Sequence, residues 1–194
     1  MMTAIVLIML IVICGFFVTV YNSLIRLKNQ VANGLAQIDV QLKRRHDLIP
    51  NLVEVAKRYM AHEERVLTAV TEARNLAQSM QKHGSIANGD ELAKLAHAES
   101  GLSQALASFY AVVENYPELK ADTALKELSD EIKNTENRIG FARQFYNDSV
   151  MFYNNQRESF PNNIVANMFN FTFVGQLEFE DKSGIDNAPK VTLG

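Results

Sequence analysis

The residues best suited to chemistry fall in two clusters. Arg45, His46 and Asp47 stand in one run, and Glu136, Asn137 and Arg138 are followed by Asn147 and Asp148 in another. Arg45 falls on an apolar stripe and so needs a carboxylate partner, which Glu136 or Asp148 could supply. Such a set could form a ligand pocket or a hydrolytic site. It could equally be a buried packing layer of Arg45, Asp47, Glu136, Asn137, Arg138 and Asp148 that fixes helix register. The layer is favoured, because helical bundles commonly set register this way. Metal chemistry finds little support. A di-metal bundle site needs Glu-x-x-His on two helices, and none of His46, His62, His83 and His97 has a Glu three residues earlier. His62-Glu63 opens like a zinc-protease motif, but Val66 stands where its second His belongs. All four histidines are expected at loop or surface positions. No Ser or Thr has a recognisable base and orienting acid, and no glycine-rich phosphate loop occurs. No catalytic residue, metal ligand or cofactor is therefore expected, and the chain reads as non-enzymatic.

The elements that must carry these residues begin with an apolar leader. The first charged side chain is Arg26, and MMTAIVLIMLIVICGFFVTV precedes Tyr21 with only Thr3 and Thr19 polar. About 20 helical residues match the roughly 30 Å hydrocarbon core of a bilayer. In lipid the backbone must bond to itself, which dictates a helix, and Tyr21 sits where an interfacial aromatic belongs. A cleaved signal peptide would want a basic start and a small-x-small site, and neither is present. A lipoprotein signal would want a small residue before Cys14, where Ile13 stands. Residues 1–21 are thus expected to be a retained transmembrane anchor. Arg26, Lys28, Lys43, Arg44 and Arg45 follow it, so the charge bias puts the N-terminus outside and the remainder in the cytoplasm.

The chain has 194 residues, a net charge of −3 and a pI near 5.8, unlike the basic domains that bind nucleic acid. Its one cysteine, Cys14, lies in the anchor, so no disulfide framework is expected. Apolar residues then recur three and four apart. The first stripe is Leu24, Leu27, Val31, Leu35, Ile38 and Leu42, continuing through Leu52, Val55, Ala56 and Tyr59. Pro50 removes the bond to the His46 carbonyl and either kinks one long helix or opens a new one capped by Asp47. The unbroken stripe favours the kink. A second stripe uses Val66, Val70, Ala73 and Ala77, and a turn-rich connection follows at Gly84, Ser85 and Asn88-Gly89. The third runs Leu92, Leu95, Glu99, Leu102, Leu106, Phe109, Val113 and Tyr116, from an Asp90 cap to Pro117. The fourth starts at an Asp122 cap and runs Leu125, Leu128, Ile132, Thr135, Ile139, Ala142, Tyr146, Ser149 and Tyr153, ending before Pro161. Gly140 is expected to mark a close helix crossing. The fold class that follows is all-α: a transmembrane helix continuous with an antiparallel four-helix bundle over residues 22–160.

Residues 161–194 form an apolar segment and tail. Ile164, Val165, Met168, Phe169, Phe171 and Phe173 make a patch that soluble monomers rarely expose. It either contacts the bilayer or another subunit, or folds as a flap over the end of its own bundle. No Lys or Arg lies between Arg157 and Lys182, so attraction to anionic lipid is not available to it.

Several motifs stand in a familiar order: the run from YNSLIRLKNQVANGLAQIDVQLKRRHDLIP to RVLTAVTEARNLA, then AVVENYPELKAD, TENRIGFARQFYNDSVMFYN and SFPNNIVANMF. Together they resemble the LemA family over about residues 21–169. The resemblance implies a single-pass bacterial membrane protein with a four-helix cytoplasmic domain, and it supplies no catalytic residues. One branch of that family looks like proteins of magnetosome membranes, which implies organising a membrane rather than catalysis. The expected function is a membrane-anchored scaffold that self-associates and binds the bilayer through residues 1–21. Two alternatives stand beside it. One is an adaptor relaying a change through Pro50 to an unidentified protein partner; the other is a ligand-binding or hydrolytic activity using Arg45, Glu136, Arg138 and Asp148.

Overall fold

The computed structural model describes residues 1–83 and 89–177, and among them only helices and connections occur, with no strand. The helices are α1 (Met2–Lys57), α2 (Glu64–His83), α3 (Gly89–Val113), α4 (Pro117–Ala121), α5 (Thr123–Glu158) and α6 (Asn162–Met168). The expected turn at Gly84, Ser85 and Asn88 lies outside the described residues. The described residues divide into two compact units, one of residues 1–42 and 136–176, the other of residues 43–135 with Leu177.

α1 runs without interruption through Pro50. A proline there leaves the His46 carbonyl without its i+4 donor. The Nε–H of Arg74, from α2, donates to that carbonyl at 3.1 Å. The lesion in one helix thereby becomes a docking point for the next.

In the unit built on residues 43–135, one core draws chiefly on four helices, joined by Leu119 of α4 and by Met60 of the α1–α2 connection. α1 supplies Ile49, Leu52, Val53 and Ala56, and α2 supplies Leu67, Val70 and Ala77. α3 adds Ala98, Leu102, Leu106, Phe109 and Val113, and α5 adds Leu125 and Ile132. Most of these are expected seam residues; Ile49, Val53, Leu67 and Ala98 join them, while Val55, Tyr59, Val66, Ala73 and Leu128 are only partly buried. Two tyrosine–carboxylate bonds fasten the α1–α2 connection: Tyr59 donates to Asp122 at 3.0 Å and Tyr116 to Glu63 at 3.1 Å. Asp122 is also the cap of α5, accepting from the Leu125 N–H at 3.0 Å.

The unit built on residues 1–42 and 136–176 buries Leu24, Val31, Leu35, Ile38 and Leu42 of α1 and Ile139, Ala142, Tyr146, Val150 and Tyr153 of α5. The close crossing falls at Gly34, not Gly140. A Cβ added at Gly34 would lie 3.0 Å from the Tyr146 Cα, whereas one at Gly140 would meet nothing within 4 Å. Gly140 sits one residue past the Ile139 seam position and faces outward, so its lack of a side chain makes no room for a neighbour.

α6 was read from sequence only as an apolar segment. It ends in a Schellman motif: Asn170 takes φ 54°, the Phe171 N–H donates to the Ala166 carbonyl at 2.9 Å and the Asn170 N–H to the Asn167 carbonyl at 3.4 Å. Asn tolerates that left-handed conformation better than most side chains, which suits it to this position.

Candidate functional site

Two sites emerge, one in each unit. In the first, the sidedness of α1 is decisive. Arg45 continues the spacing of Leu42, Ile49 and Leu52, so it projects into the core and is 1% exposed. It pairs there with Glu99, from the seam of α3, an acidic residue not expected among its partners. The Arg45 Nη1 also donates to Ser103 Oγ at 3.3 Å. His46 follows Arg45 inward, with Nε2 at 2.9 Å from the other Glu99 oxygen. A carboxylate only accepts, so that nitrogen carries the proton. His46 is fully buried, which corrects the expectation of a surface or loop position; His62 and His97 are exposed. One glutamate thus bridges an arginine and a histidine inside the core.

Of the residues expected in a polar layer, Arg45 alone is buried. Asp47 lies about 200° around the helix from Arg45 and pairs with Lys43 across the surface at 2.6 Å. That contact, the first of several causes, holds its carboxyl below the ordinary value. Glu136, Asn137, Arg138 and Asp148 are at exposed positions. Arg138 lines an open groove of about 730 Å³ beside Val40, Phe141 and Phe145. The sequence did hold the missing signal: Glu99 is the one acidic residue on the seam of the third helix, as Arg45 is the basic intruder on the first. Two charges intruding on facing apolar stripes should have been paired with each other.

Acid–base chemistry needs a substrate within hydrogen-bond reach of the acting group. Arg45, His46 and Glu99 are all closed to solvent, so the cluster suits register and packing. Among the described residues, no group of three or more His, Cys, Asp or Glu could hold a metal ion.

The second site lies where the exposed apolar run of α1 ends. The Tyr21 ring meets Phe169 at 4.8 Å and Phe171 at 5.7 Å between centroids. Residues 171–175 then run along α5, held by side chains spaced along that helix. Arg157 Nε donates to the Phe171 carbonyl at 2.7 Å, Tyr153 to Thr172 at 2.9 Å and Tyr146 to Gly175 at 3.1 Å. Asn154 grips both backbone groups of Val174, donating at 2.8 Å and accepting at 3.2 Å. Burial pushes both phenols, Tyr146 and Tyr153, above their ordinary values. Both tyrosines fall on the buried seam that spacing predicts for α5, where each hydroxyl needs a partner. Buried tyrosines usually find a partner for that hydroxyl.

The expected apolar patch divides. Val165 and Phe171 are buried, whereas Ile164, Met168, Phe169 and Phe173 are exposed. The segment is therefore held against its own unit by its backbone and presents part of its apolar surface outward.

Comparison with known proteins agrees with the sequence motifs. The chain is 24% identical over 163 residues to the magnetosome proteins MamQ 2 and MamQ 1 of Paramagnetospirillum magneticum, a match covering 75% of this chain and 60% of each relative. It is 22% identical over 189 residues to the magnetosome protein MamQ of Magnetospirillum gryphiswaldense, covering 89% of this chain and 68% of that one. The chain thus spans about three-fifths of the length of the first two relatives. Residues 34–193 match the LemA family as a whole, and the chain belongs to the LemA family.

Proposed function

We propose that this protein is a non-enzymatic, membrane-anchored helical scaffold that associates with copies of itself to organise a membrane or a protein assembly. The observation that carries the reading is the exposure of the apolar start of α1, from Ile5 to Val12, on the same helix that buries Leu24 to Ala56 further along. That helix is long and apolar enough to cross a membrane. Exposing this run to water would be costly; a bilayer removes the cost. Arg26 and Lys28, just beyond it, favour the cytoplasm for everything that follows. Names given to the relatives point the same way, since both organisms' proteins are described as magnetosome proteins. The seams of α1, α2, α3 and α5 suit an antiparallel bundle. Exposed Val40 and Phe141 at the groove supply an apolar face for a second copy.

Mass measurement of the full chain in nanodiscs and detergent tests self-association; a monomer at every concentration overturns it. Sidedness is tested by a cysteine at Lys94, with Cys14 replaced by Ser. Labelling of intact cells by an impermeant thiol reagent would overturn the cytoplasmic placement.

A further inference from the structure

We infer that α6 and the residues flanking it form a collar embedded in the headgroup boundary of the membrane that α1 crosses. The inference rests on the anchor reading and adds a second, non-spanning lipid contact. Position is the first argument. Tyr21 ends the exposed apolar run, and its ring packs on Phe169 and Phe171, so α6 stands beside the point where α1 would leave the hydrocarbon. The collar surface is continuous with the anchor.

The second argument is the character of that surface. Ile164 and Met168 lie one turn apart and are exposed, while Val165 and Ala166 turn inward and are fully buried. Phe160 is 80% exposed, and Phe173 at the far end of the segment is 62% exposed. These side chains are not loose. Arg157, Tyr153, Asn154 and Tyr146 hold the following backbone, and the Schellman turn at Asn170 sets the angle between helix and strap. The fold spends several hydrogen bonds on holding an apolar edge outward.

Charge chooses the occupant. Residues 159–177 contain no Asp, Glu, Lys or Arg. The segment itself offers no charge to anionic lipid or to a charged protein partner, which favours apolar insertion into the interface. Insertion of this kind is insensitive to salt and needs no acidic lipid.

The chain contains no tryptophan, so a single introduced indole reports its own surroundings. Full-length Met168→Trp, Ile8→Trp and Phe141→Trp are placed in phosphatidylcholine vesicles with and without acyl-brominated lipid, a short-range quencher. Ile8→Trp reports the anchor, and Phe141→Trp lies in the same unit, away from the collar. The collar predicts that Ile8→Trp and Met168→Trp each lose about half or more of their emission, unchanged in about 1 M salt, while Phe141→Trp keeps its emission. Phe160→Trp repeats the measurement should Met168→Trp fail to fold. Quenching of Ile8→Trp without quenching at the collar overturns the collar and leaves the anchor standing; no quenching at either overturns both. An unquenched collar indole whose emission shifts with protein density gives the face to a second copy, which also overturns the inference.

Discussion

The two units bury polar groups by different means. In the unit of residues 43–135, three ionisable side chains meet inside the core, with Glu99 between Arg45 and His46. In the unit of residues 1–42 and 136–176, Tyr146, Tyr153, Asn154 and Arg157 reach instead for the backbone of a strap that follows α6. In the first arrangement Arg45 and His46 share one buried carboxylate, so losing it disturbs two side chains at once. In the second, each bond is separate and no buried charge depends on it. Centralised satisfaction specifies one register sharply; distributed satisfaction holds a surface in place with tolerance for single losses.

The sharpest way to break that comparison is Glu99→Ala. It removes the buried carboxylate that Arg45 and His46 share and is expected to cost about 3–5 kcal/mol in unfolding free energy. Denaturant titration of the full chain in detergent reads this directly. A loss below about 1 kcal/mol would mean that the buried cluster contributes no more than a surface ion pair. Replacing Arg45 by Met together with Glu99 by Leu should recover most of the loss, because both charges are then gone from the core.

Asn154→Ala comes next. It removes two hydrogen bonds to Val174 and is expected to cost about 1–3 kcal/mol. Limited proteolysis should show faster cleavage within residues 171–177 while the fold persists. Global unfolding by this change would erase the distinction between the units.

Two helical glycines of the unit of residues 1–42 and 136–176, Gly34 and Gly140, give a finer test within it. Gly34→Ala would press a Cβ against the Tyr146 backbone, and overpacking of about 1–3 kcal/mol outweighs a helix-propensity gain of about 1 kcal/mol. A net loss near 1 kcal/mol is expected in thermal unfolding. Gly140→Ala meets nothing and should stabilise by about 0.5–1 kcal/mol. Equal effects at the two positions would count against the crossing at Gly34.

The smallest expected effect is acid sensitivity at Asp122. The backbone N–H of Leu125 and then the Tyr59 hydroxyl hold its carboxyl below the ordinary value of 3.8. A group depressed on folding stabilises the folded state above its unfolded pKa, and that share is lost as pH falls through the folded one. Asp122→Asn should therefore lower Tm by a few degrees at neutral pH, with the gap to the parent narrowing as pH drops below that range. A constant gap down to low pH would assign the effect to packing alone.

Much of this was legible along the chain. Seam residues such as Leu35, Leu102, Ile132 and Tyr146 follow from spacing, since the apolar face of a helix is set by its own period. Asp122 and Pro161 mark ends for equally local reasons. The site was less legible. Arg45 is buried on the stripe its spacing marks, whereas Asp47 and Asp148, charged like it, are carried to the surface by the turn of the helix. α6 was hidden because a seven-residue helix offers too few turns for a periodic signal.

What the sequence determined by itself is the all-α class, the apolar start of α1 and the faces of its helices, because each depends on residues within a few turns of one another. Which partners meet across those faces was decided only by tertiary structure. Glu99 reaches Arg45 from 54 residues away, Arg74 finds the carbonyl that Pro50 freed, and Gly34 rather than Gly140 admits a neighbouring helix. The physical reason is that helical period sets direction around an axis, while register between two axes depends on how whole surfaces fit, and that fit is not contained in any single stretch of chain.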